Sequence, residues 1–413
     1  MRIVFVNPVA QVGGAEMILL DLMAALADAI PGVDRHLIVA GEGPLIDLAR
    51  AIGVAVHPRP MPDRLAGLGD SALKGRGKVG AILGLAARGA PAGLAGLRYA
   101  RGLGRLIREI GPDLIHSNGI KSHLLLRLSG LGGIPVVWHL HDFYGTRPVM
   151  ARALRWASRG AAGAIAISEA VGRDGRRVLD PLPVQVVYNA VDVEQFTPGP
   201  GDGARLDALA NLPPAAPGAH RVGLIATYAR WKGQDLFLRA AARLAGDRPA
   251  RFYVIGSPIY QTKGSQWSEA ELRGLAGSLG LGDCVGFIPF QRDTAAVYRA
   301  LDVVVHASTQ PEPFGRTIVE AMACGRPVVV SDAGGAAELF QDGRDAVGFP
   351  PGDAPALAAA ILGLVDDPGR RERIGRAARA TAVERFARPR LGVEVAAAYE
   401  RFRGRVISPR PAG

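Results

Sequence analysis

Cysteine is almost missing from this chain. Only Cys284 and Cys324 occur in 413 residues, each in an apolar or Gly-rich stretch, so no disulfide framework or cysteine metal cluster is available and a reducing cytoplasm is the expected compartment. No run of about twenty apolar residues suggests a membrane span. The chain passes from the strand-like Arg-Ile-Val-Phe-Val-Asn of residues 2–7 directly into a loop, without the basic and apolar segments of a signal peptide. Several catalytic signatures are also missing: G-x-x-x-x-G-K-[ST], G-x-S-x-G, H-E-x-x-H and C-x-x-C. Gly75-Arg-Gly77-Lys-Val-Gly80 spells G-x-G-x-x-G. It follows Ser71-Ala-Leu-Lys rather than a strand, so it is rejected as a dinucleotide site.

A chain of this length that is 48% hydrophobic exceeds the size at which a single core stops growing, and two domains are expected. The net charge of +11 is uneven: residues 1–190 hold 22 basic against 14 acidic residues, the remainder 27 against 24. Within residues 64–108 nine basic residues face one acid, Asp70. A solvated helical hairpin and an electrostatic contact with anionic lipid both account for this stretch, and the lipid reading is preferred. Nucleic acid is not expected as a partner, because Tyr99 is the only aromatic there and no stacking platform is evident.

Apolar, β-branched runs alternate twice with Ala/Leu-rich helical stretches, the pattern of parallel sheets covered by helices. The first half predicts strands at 3–6, 36–39, 114–116, 135–138, 164–167 and 184–187. The second predicts 222–226, 252–255, 285–288, 303–306, 328–330 and a short strand near Val347. Residues 197–220, rich in Pro, Gly and Ala, have a linker composition. The last helical period spans about 388–402.

Ligands of open α/β sheets bind at the carboxyl ends of the strands, and unusual residues gather at those positions. Pro311-Glu312-Pro313-Phe314-Gly315-Arg316-Thr317-Ile-Val-Glu320 lies between an apolar strand and a helix. The prolines disfavour helix and Gly315 admits a ligand to the main chain, so a helix begins near Arg316 with its first amides aimed at open space. Those amides and the helix dipole attract an anion such as a nucleotide diphosphate, and Glu320, one turn on, leans back to accept from sugar hydroxyls. Gly13 and Gly14 open a helix after the first strand. Arg230 and Lys232 follow the strand at 222–226, and in an extended loop both point to one side, where they offset a departing diphosphate. Trp138-His139-Leu-His141-Asp142 ends another strand with two imidazoles on one side; no third ligand at a telling spacing makes them a metal pair, and no metal is expected. His116-Ser-Asn118-Gly119 ends a further strand, where an acceptor-lining role and a structural turn are both open.

The segment from Pro311 to Leu339 resembles the Glu-x7-Glu region of the retaining glycosyltransferases of family 4, which have the GT-B architecture: two Rossmann-like, doubly wound parallel-sheet domains facing across a cleft. The resemblance implies an acceptor-side domain at 1–195, a nucleotide-sugar domain at 196–387 and a helix at 388–413 that crosses back to the first. It assigns the transferred sugar and diphosphate to Glu312 and the amides of Phe314, Gly315, Arg316 and Thr317, the ribose to Glu320, the phosphates to Lys232, with Arg230 a nearby substitute, and a phosphate-approaching loop to Gly13 and Gly14. His141, with His139 in reserve, falls beside the sugar. Gly256, Phe287 and Ile288 fall where relatives contact the base; main-chain contacts of that kind leave UDP, GDP and ADP all open. Asn189-Ala190-Val-Asp192 resembles the family's Asn-Gly-Val-Asp at the domain junction. The implied activity is metal-independent, retaining transfer from a nucleotide-diphosphate sugar, a co-substrate rather than a cofactor, to a hydroxyl of a carbohydrate, glycolipid or small-molecule acceptor. Asp-x-Asp, the metal-diphosphate grip of the other transferase architecture, is missing, and two carboxylates at a sugar otherwise suggest hydrolysis. An epimerase or phosphorylase on the same architecture, and a non-catalytic nucleotide-sugar-binding protein, are the alternative functions. The expected location is cytoplasmic, with a peripheral contact at the inner face of the membrane.

Overall fold

The computed structural model describes residues 1–66, 78–246, 249–258 and 264–404, and side chains outside 64 and 66–92. The rejected Gly75–Gly80 stretch and much of the basic segment at 64–108 therefore lie outside the described side chains. The chain divides into two compact units: Met1–Tyr188 together with the segment beginning at Arg388, and Asn189–Ala387.

In unit 1, β1 (Arg2–Asn7) leads through α1 (Gly14–Ala29) to β2 (Asp34–Val39), and α2 (Leu45–Ala51) leads to β3 (Ala55–Pro58). After α3 (Asp63–Ala66) comes α4 (Lys78–Ile110), then β4 (Leu114–Asn118), α5 (Ile120–Arg127), β5 (Val136–Leu140), α6 (Pro148–Ser158), β6 (Gly163–Ala166), α7 (Glu169–Leu179) and β7 (Val184–Val186). The sheet is parallel with order β3-β2-β1-β4-β5-β6-β7. Right-handed crossovers put helices on opposite faces according to the direction in which the chain steps across the sheet. Steps from β1 to β2 and β3 place α1 and α2 on one face. Steps from β3 through β4, β5 and β6 place α4 to α7 on the other. Strands buried on both faces read as continuous apolar runs, and Ile3, Val4, Phe5, Leu37, Ile115 and Val137 are fully buried.

Unit 2 comprises α8 (Gly203–Leu209), β8 (His220–Ile225), α9 (Gln234–Leu244), β9 (Ala250–Ile255), α10 (Glu269–Ser278), β10 (Val285–Ile288), α11 (Thr294–Arg299), β11 (Val303–His306), α12 (Arg316–Ala323), β12 (Val328–Ser331), β13 (Val347–Phe349), α13 (Ala354–Val365) and α14 (Pro368–Phe386). Its parallel sheet has order β10-β9-β8-β11-β12-β13. One face is packed by Leu236, Phe237, Ala240, Phe252, Leu357 and Ile361, among others. The last helix, α15 (Arg388–Arg403), belongs to unit 1, where it packs on α1.

Two expectations need correction. Strand β3 was not predicted; it is a four-residue edge strand, and its half-exposed residues carry no continuous apolar run. Residues 197–220 are not a free linker, for they contain α8 and are pinned to unit 2 through Asp207. That carboxylate, 3% exposed, accepts from Arg221 at 2.8 Å, from Arg251 at 3.0 Å and from the Tyr253 hydroxyl. The chain passes between units at Tyr188/Asn189 and Ala387/Arg388.

Candidate functional site

In unit 2 the strand order reverses between β8, which continues towards β9, and β11, which continues towards β12. Such switch points leave a crevice at the carboxyl ends of the strands. The loop after β8 carries Lys232 and the loop after β11 carries Glu312. Their side chains meet there: Lys232 Nζ lies 2.8 Å from Glu312 Oε1 and 2.7 Å from Oε2. Gly233, at φ 75°, brings the Lys232 turn against β11, since a Cβ there would collide with the Ala307 carbonyl oxygen. The Thr309 amide donates to the Trp231 carbonyl at 2.8 Å and ties the same two loops.

Glu312 is 8% exposed and has further partners. Ser308 Oγ donates to Oε2 at 2.8 Å, and His306 Nε2 stands 3.2 Å from the same oxygen and 3.1 Å from Ser308 Oγ. The serine proton is committed to the carboxylate, so His306 carries a proton on Nε2. His306 Nδ1 is buried and has no hydrogen-bond partner among the described residues. Burial alone would raise the Glu312 carboxyl, but the Lys232 ammonium and the His306 hydrogen bond reverse this and hold it far below the usual carboxylate range.

Helix α12 starts beside this cluster. Gly315, its N-cap, has φ 103° and ψ 62°, a left-handed conformation that favours glycine. The amides that open a helix have no intrahelical acceptor. Phe314 is 3% exposed and packs edge-on against Phe386, which anchors the turn, whereas Arg316 and Thr317 are partly exposed. Glu320 is 7% exposed; Arg316 Nε donates to Oε1 at 2.6 Å and the Tyr298 hydroxyl to Oε2 at 2.8 Å.

Other predicted residues stand apart from the pair. Arg230 to Lys232 form a 3₁₀ turn rather than an extended segment, so the expectation that Arg230 and Lys232 point together fails. Arg230 instead pairs with Glu271 at 2.7 Å and lies 3.8 Å over the Trp267 ring. Gly256 follows β9 and donates its amide to the Ile288 carbonyl at 2.9 Å. Phe287 and Ile288 are buried residues of the edge strand β10.

In unit 1 the order reverses between β1 and β4, and again the last residues of those strands meet. Asn118 Nδ2 donates to Asn7 Oδ1 at 2.7 Å, and Asn7 Nδ2 donates to the Val9 carbonyl at 2.6 Å. A carbonyl can only accept, which orients both amides and leaves Asn118 Oδ1 as an acceptor. His141 Nε2, 2.6 Å from that oxygen, is therefore protonated, and its buried Nδ1 is an acceptor without a partner among the described residues. Burial lowers the His141 pKa to about 4, so the imidazole is neutral at ordinary pH. Gly13 caps α1 and donates its amide to Glu16 Oε2 at 3.0 Å. A side chain at Gly14 would meet nothing within 4 Å.

His139 and His116 sit behind His141. His116 Nε2 lies 3.2 Å from His139 Nδ1, and the Tyr399 hydroxyl from α15 lies 2.7 Å from His116 Nδ1. Burial brings His116 down to about 3 and moves His139 and His123 well below the usual range. His123 stacks on Trp138 and bridges Ser117 and Tyr144. These contacts hold the His139 ring between those of His116 and His141, and fix His141 on Asn118. Sequence reasoning missed Asn7, Ser308 and Tyr298, and did not give His306 a role. A polar residue ending an apolar strand was a usable signal for Asn7 and His306; nothing pointed to Tyr298.

Among the described residues no group of three His, Cys, Asp or Glu is arranged to hold a metal.

The model described as "Glycosyltransferase Family 4" matches residues 12–195, and that described as "Glycosyl transferases group 1" matches residues 216–381. D-inositol 3-phosphate glycosyltransferase 2 of Catenulispora acidiphila is 38% identical over 220 residues, 51% of this chain and 48% of that protein. D-inositol 3-phosphate glycosyltransferase of Salinispora arenicola is 35% identical over 209 residues, 48% of this chain and 46% of that protein. The chain thus spans about half the length of the curated relatives it matches. The crystal structure of Anabaena Alr3699/HepE in complex with UDP and glucose aligns with a TM-score of 0.77 and 26% identity, over 97% of this chain and 99% of that one. A glycosyltransferase from Rickettsia africae shares the fold, with a TM-score of 0.76 at 18% identity, over 97% of this chain and 98% of that one. Two sheets wound as described, with family models matched across both, establish that the chain belongs to the group 1 glycosyltransferases and has the GT-B fold.

Proposed function

We propose that the protein transfers a sugar from a UDP-linked donor to an acceptor hydroxyl, with retention of anomeric configuration and without a metal. The observation that carries the proposal is the Lys232–Glu312 pair at the switch point of unit 2, beside the opening turn of α12. A diphosphate needs positive charge, and the Lys232 ammonium and the α12 amides supply it on the protein. UDP is the nucleotide of choice because Alr3699/HepE, similar over its whole length, was solved with UDP and with UDP-glucose. In this reading Glu312 takes sugar hydroxyls and Glu320 takes the ribose, while His141, within unit 1, keeps Nδ1 as an acceptor for a ligand hydroxyl. Open space at Gly14 suits approach of a phosphate to the main chain.

The chemistry balances without a protein nucleophile. The acceptor oxygen forms a bond to the anomeric carbon as the bond from that carbon to the phosphate oxygen breaks. The acceptor proton passes to the leaving phosphate on the same face, and UDP departs. A hydroxylated acceptor completes the reaction, and the names of the inositol phosphate relatives make D-inositol 3-phosphate the first to try.

The test is calorimetry with UDP, GDP and ADP, followed by UDP-glucose and acceptor with the product's anomeric coupling read by NMR and EDTA present throughout. Tightest binding of UDP and an α-linked product are expected. Preference for GDP or ADP overturns the donor, an inverted product overturns retention, and loss of turnover in EDTA overturns metal independence.

A further inference from the structure

Charge in this protein is segregated twice, first between units and then between the faces of one sheet. Unit 1 holds 28 basic against 16 acidic residues, a net of +12, while unit 2 holds 21 against 22. Within unit 1 the helices α4, α5, α6 and α7, which pack side by side on one face of the sheet, carry 13 basic and 3 acidic residues. The helices α1, α2 and α15 carry 5 basic and 6 acidic. An arginine-rich composition explains many arginines; it does not explain this asymmetry.

The basic layer also exposes apolar side chains. Along α6, Val149 is 70% exposed and Trp156 44%, and the exposed Arg152 and Arg159 lie on the same side of the helix. Arg127, at the end of α5, places its guanidinium 5.1 Å over the Trp156 ring. On α4 the exposed Arg98, Arg101 and Arg105 recur every three or four residues, with the 66%-exposed Leu94 one turn earlier.

We infer that this helical layer docks on an anionic lipid bilayer, with Trp156 and Val149 entering the headgroup boundary and the arginines pairing with lipid phosphates. An amphipathic tryptophan between arginines suits a boundary that is apolar on one side and charged on the other. Nucleic acid fits less well, because Arg127 already covers the Trp156 face that a base would need for stacking. No helix among the described residues is long and apolar enough to cross a membrane, so the contact lies on the surface. The inference is independent of the donor reading, since none of these residues belongs to the Lys232–Glu312 cluster.

The test is co-sedimentation of the full chain with vesicles of pure phosphatidylcholine and with vesicles containing roughly 30% phosphatidylglycerol, whose negative surface potential attracts basic segments. Binding to the anionic vesicles alone, reversed by high salt, is expected. R98E/R101E/R105E should weaken it by at least about a hundredfold, since loss of three arginine charges alone removes about 1 kcal/mol each and the new carboxylates add repulsion, and W156S by roughly tenfold. UDP binding should stay unchanged in all variants, which separates this result from failure of the donor proposal, and an unchanged unfolding midpoint and circular dichroism spectrum show that unit 1 still folds. Equal binding to neutral vesicles, no effect of the charge reversals and of W156S, or tighter retention on single-stranded RNA than on vesicles overturns the inference.

Discussion

Replacing Glu312 by Gln should destabilise unit 2 and yet tighten its hold on UDP. In the free protein the Lys232 ammonium is 19% exposed and satisfied by both oxygens of a 10%-exposed carboxylate. Removing one partner of such a buried pair costs about 3–5 kcal/mol. The Gln carbonyl still accepts one hydrogen bond, which puts the loss near the lower bound. For a unit of this size about 3 kcal/mol corresponds to a fall of roughly 6–12 °C in the unfolding midpoint. A bound diphosphate then supplies the missing countercharge without competing against Glu312, and a gain of about 1.4 kcal/mol makes UDP bind about tenfold more tightly. UDP-glucose should gain less, because the proposal also gives Glu312 to the sugar. Scanning calorimetry and titration calorimetry at fixed ionic strength measure the two effects, and the double variant with Lys232→Gln should restore much of the lost stability. An unchanged midpoint refutes the pair as described. A lowered midpoint with unchanged or weaker UDP binding refutes the assignment of the diphosphate to Lys232.

Three further outcomes follow from the same geometry. His116 is neutral and buried when folded, with a pKa near 3, but titrates near 6.5 when unfolded; its contribution is present above the unfolded value and is lost as pH falls towards the folded one. That costs about 2 kcal/mol between pH 7 and pH 5, and the lowered values of His123 and His139 act in the same direction, so denaturant midpoints should drop over this range and refute the buried network if they do not. Asn118→Asp should place a carboxylate against His141 Nε2–H and move the His141 titration upward by roughly 1–3 pH units; long-range proton–nitrogen NMR of the unaltered protein should show the Nε2–H tautomer, and finding Nδ1–H breaks the chain of reasoning from Val9. Asp207→Ala leaves two largely buried guanidinium groups without their carboxylate and should cost about 3–5 kcal/mol, read as a lower midpoint for unit 2; an unaltered midpoint means that residues 197–220 do behave as a linker.

The strands of both sheets were legible because a strand buried on both faces is written as an uninterrupted apolar run, as in Val303-Val-Val-His306 or Val328-Val-Val-Ser331. Strand β3 was not, because one edge of Ala55–Pro58 has no neighbour among the described residues and its side chains are half-exposed. The Glu312 and Lys232 motifs were each visible, but their pairing was not: 80 residues separate them, and only the strand order places β8 beside β11. The error over Arg230 has a local cause. An extended loop turns alternate side chains to one side, whereas the 3₁₀ turn actually present sends Arg230 to Glu271 and Trp267 and Lys232 to Glu312. Residues 197–220 were misread from composition, which registers Pro and Gly but not one buried aspartate with two arginines waiting for it.

The two units solve one topological problem with different chemistry. At each switch point the adjacent strand ends bring polar groups together at a crevice, and there those groups satisfy one another. Unit 1 does so with neutral amides, Asn7 and Asn118, whose hydrogen bonds run from a backbone carbonyl to a neutral imidazole. Unit 2 does so with an ammonium and a carboxylate backed by a histidine and a serine. A neutral chain ending in a lone-pair acceptor is suited to orienting an uncharged hydroxyl, since little electrostatic energy is lost when a ligand enters. An ion pair at the start of a helix is suited to a charged ligand, because the phosphate that draws Lys232 towards itself also frees the Glu312 oxygens to accept from a sugar. On the function proposed above, donor binding on unit 2 would exchange one counter-ion for another, and the carboxylate released in the exchange would become available only once the diphosphate is in place.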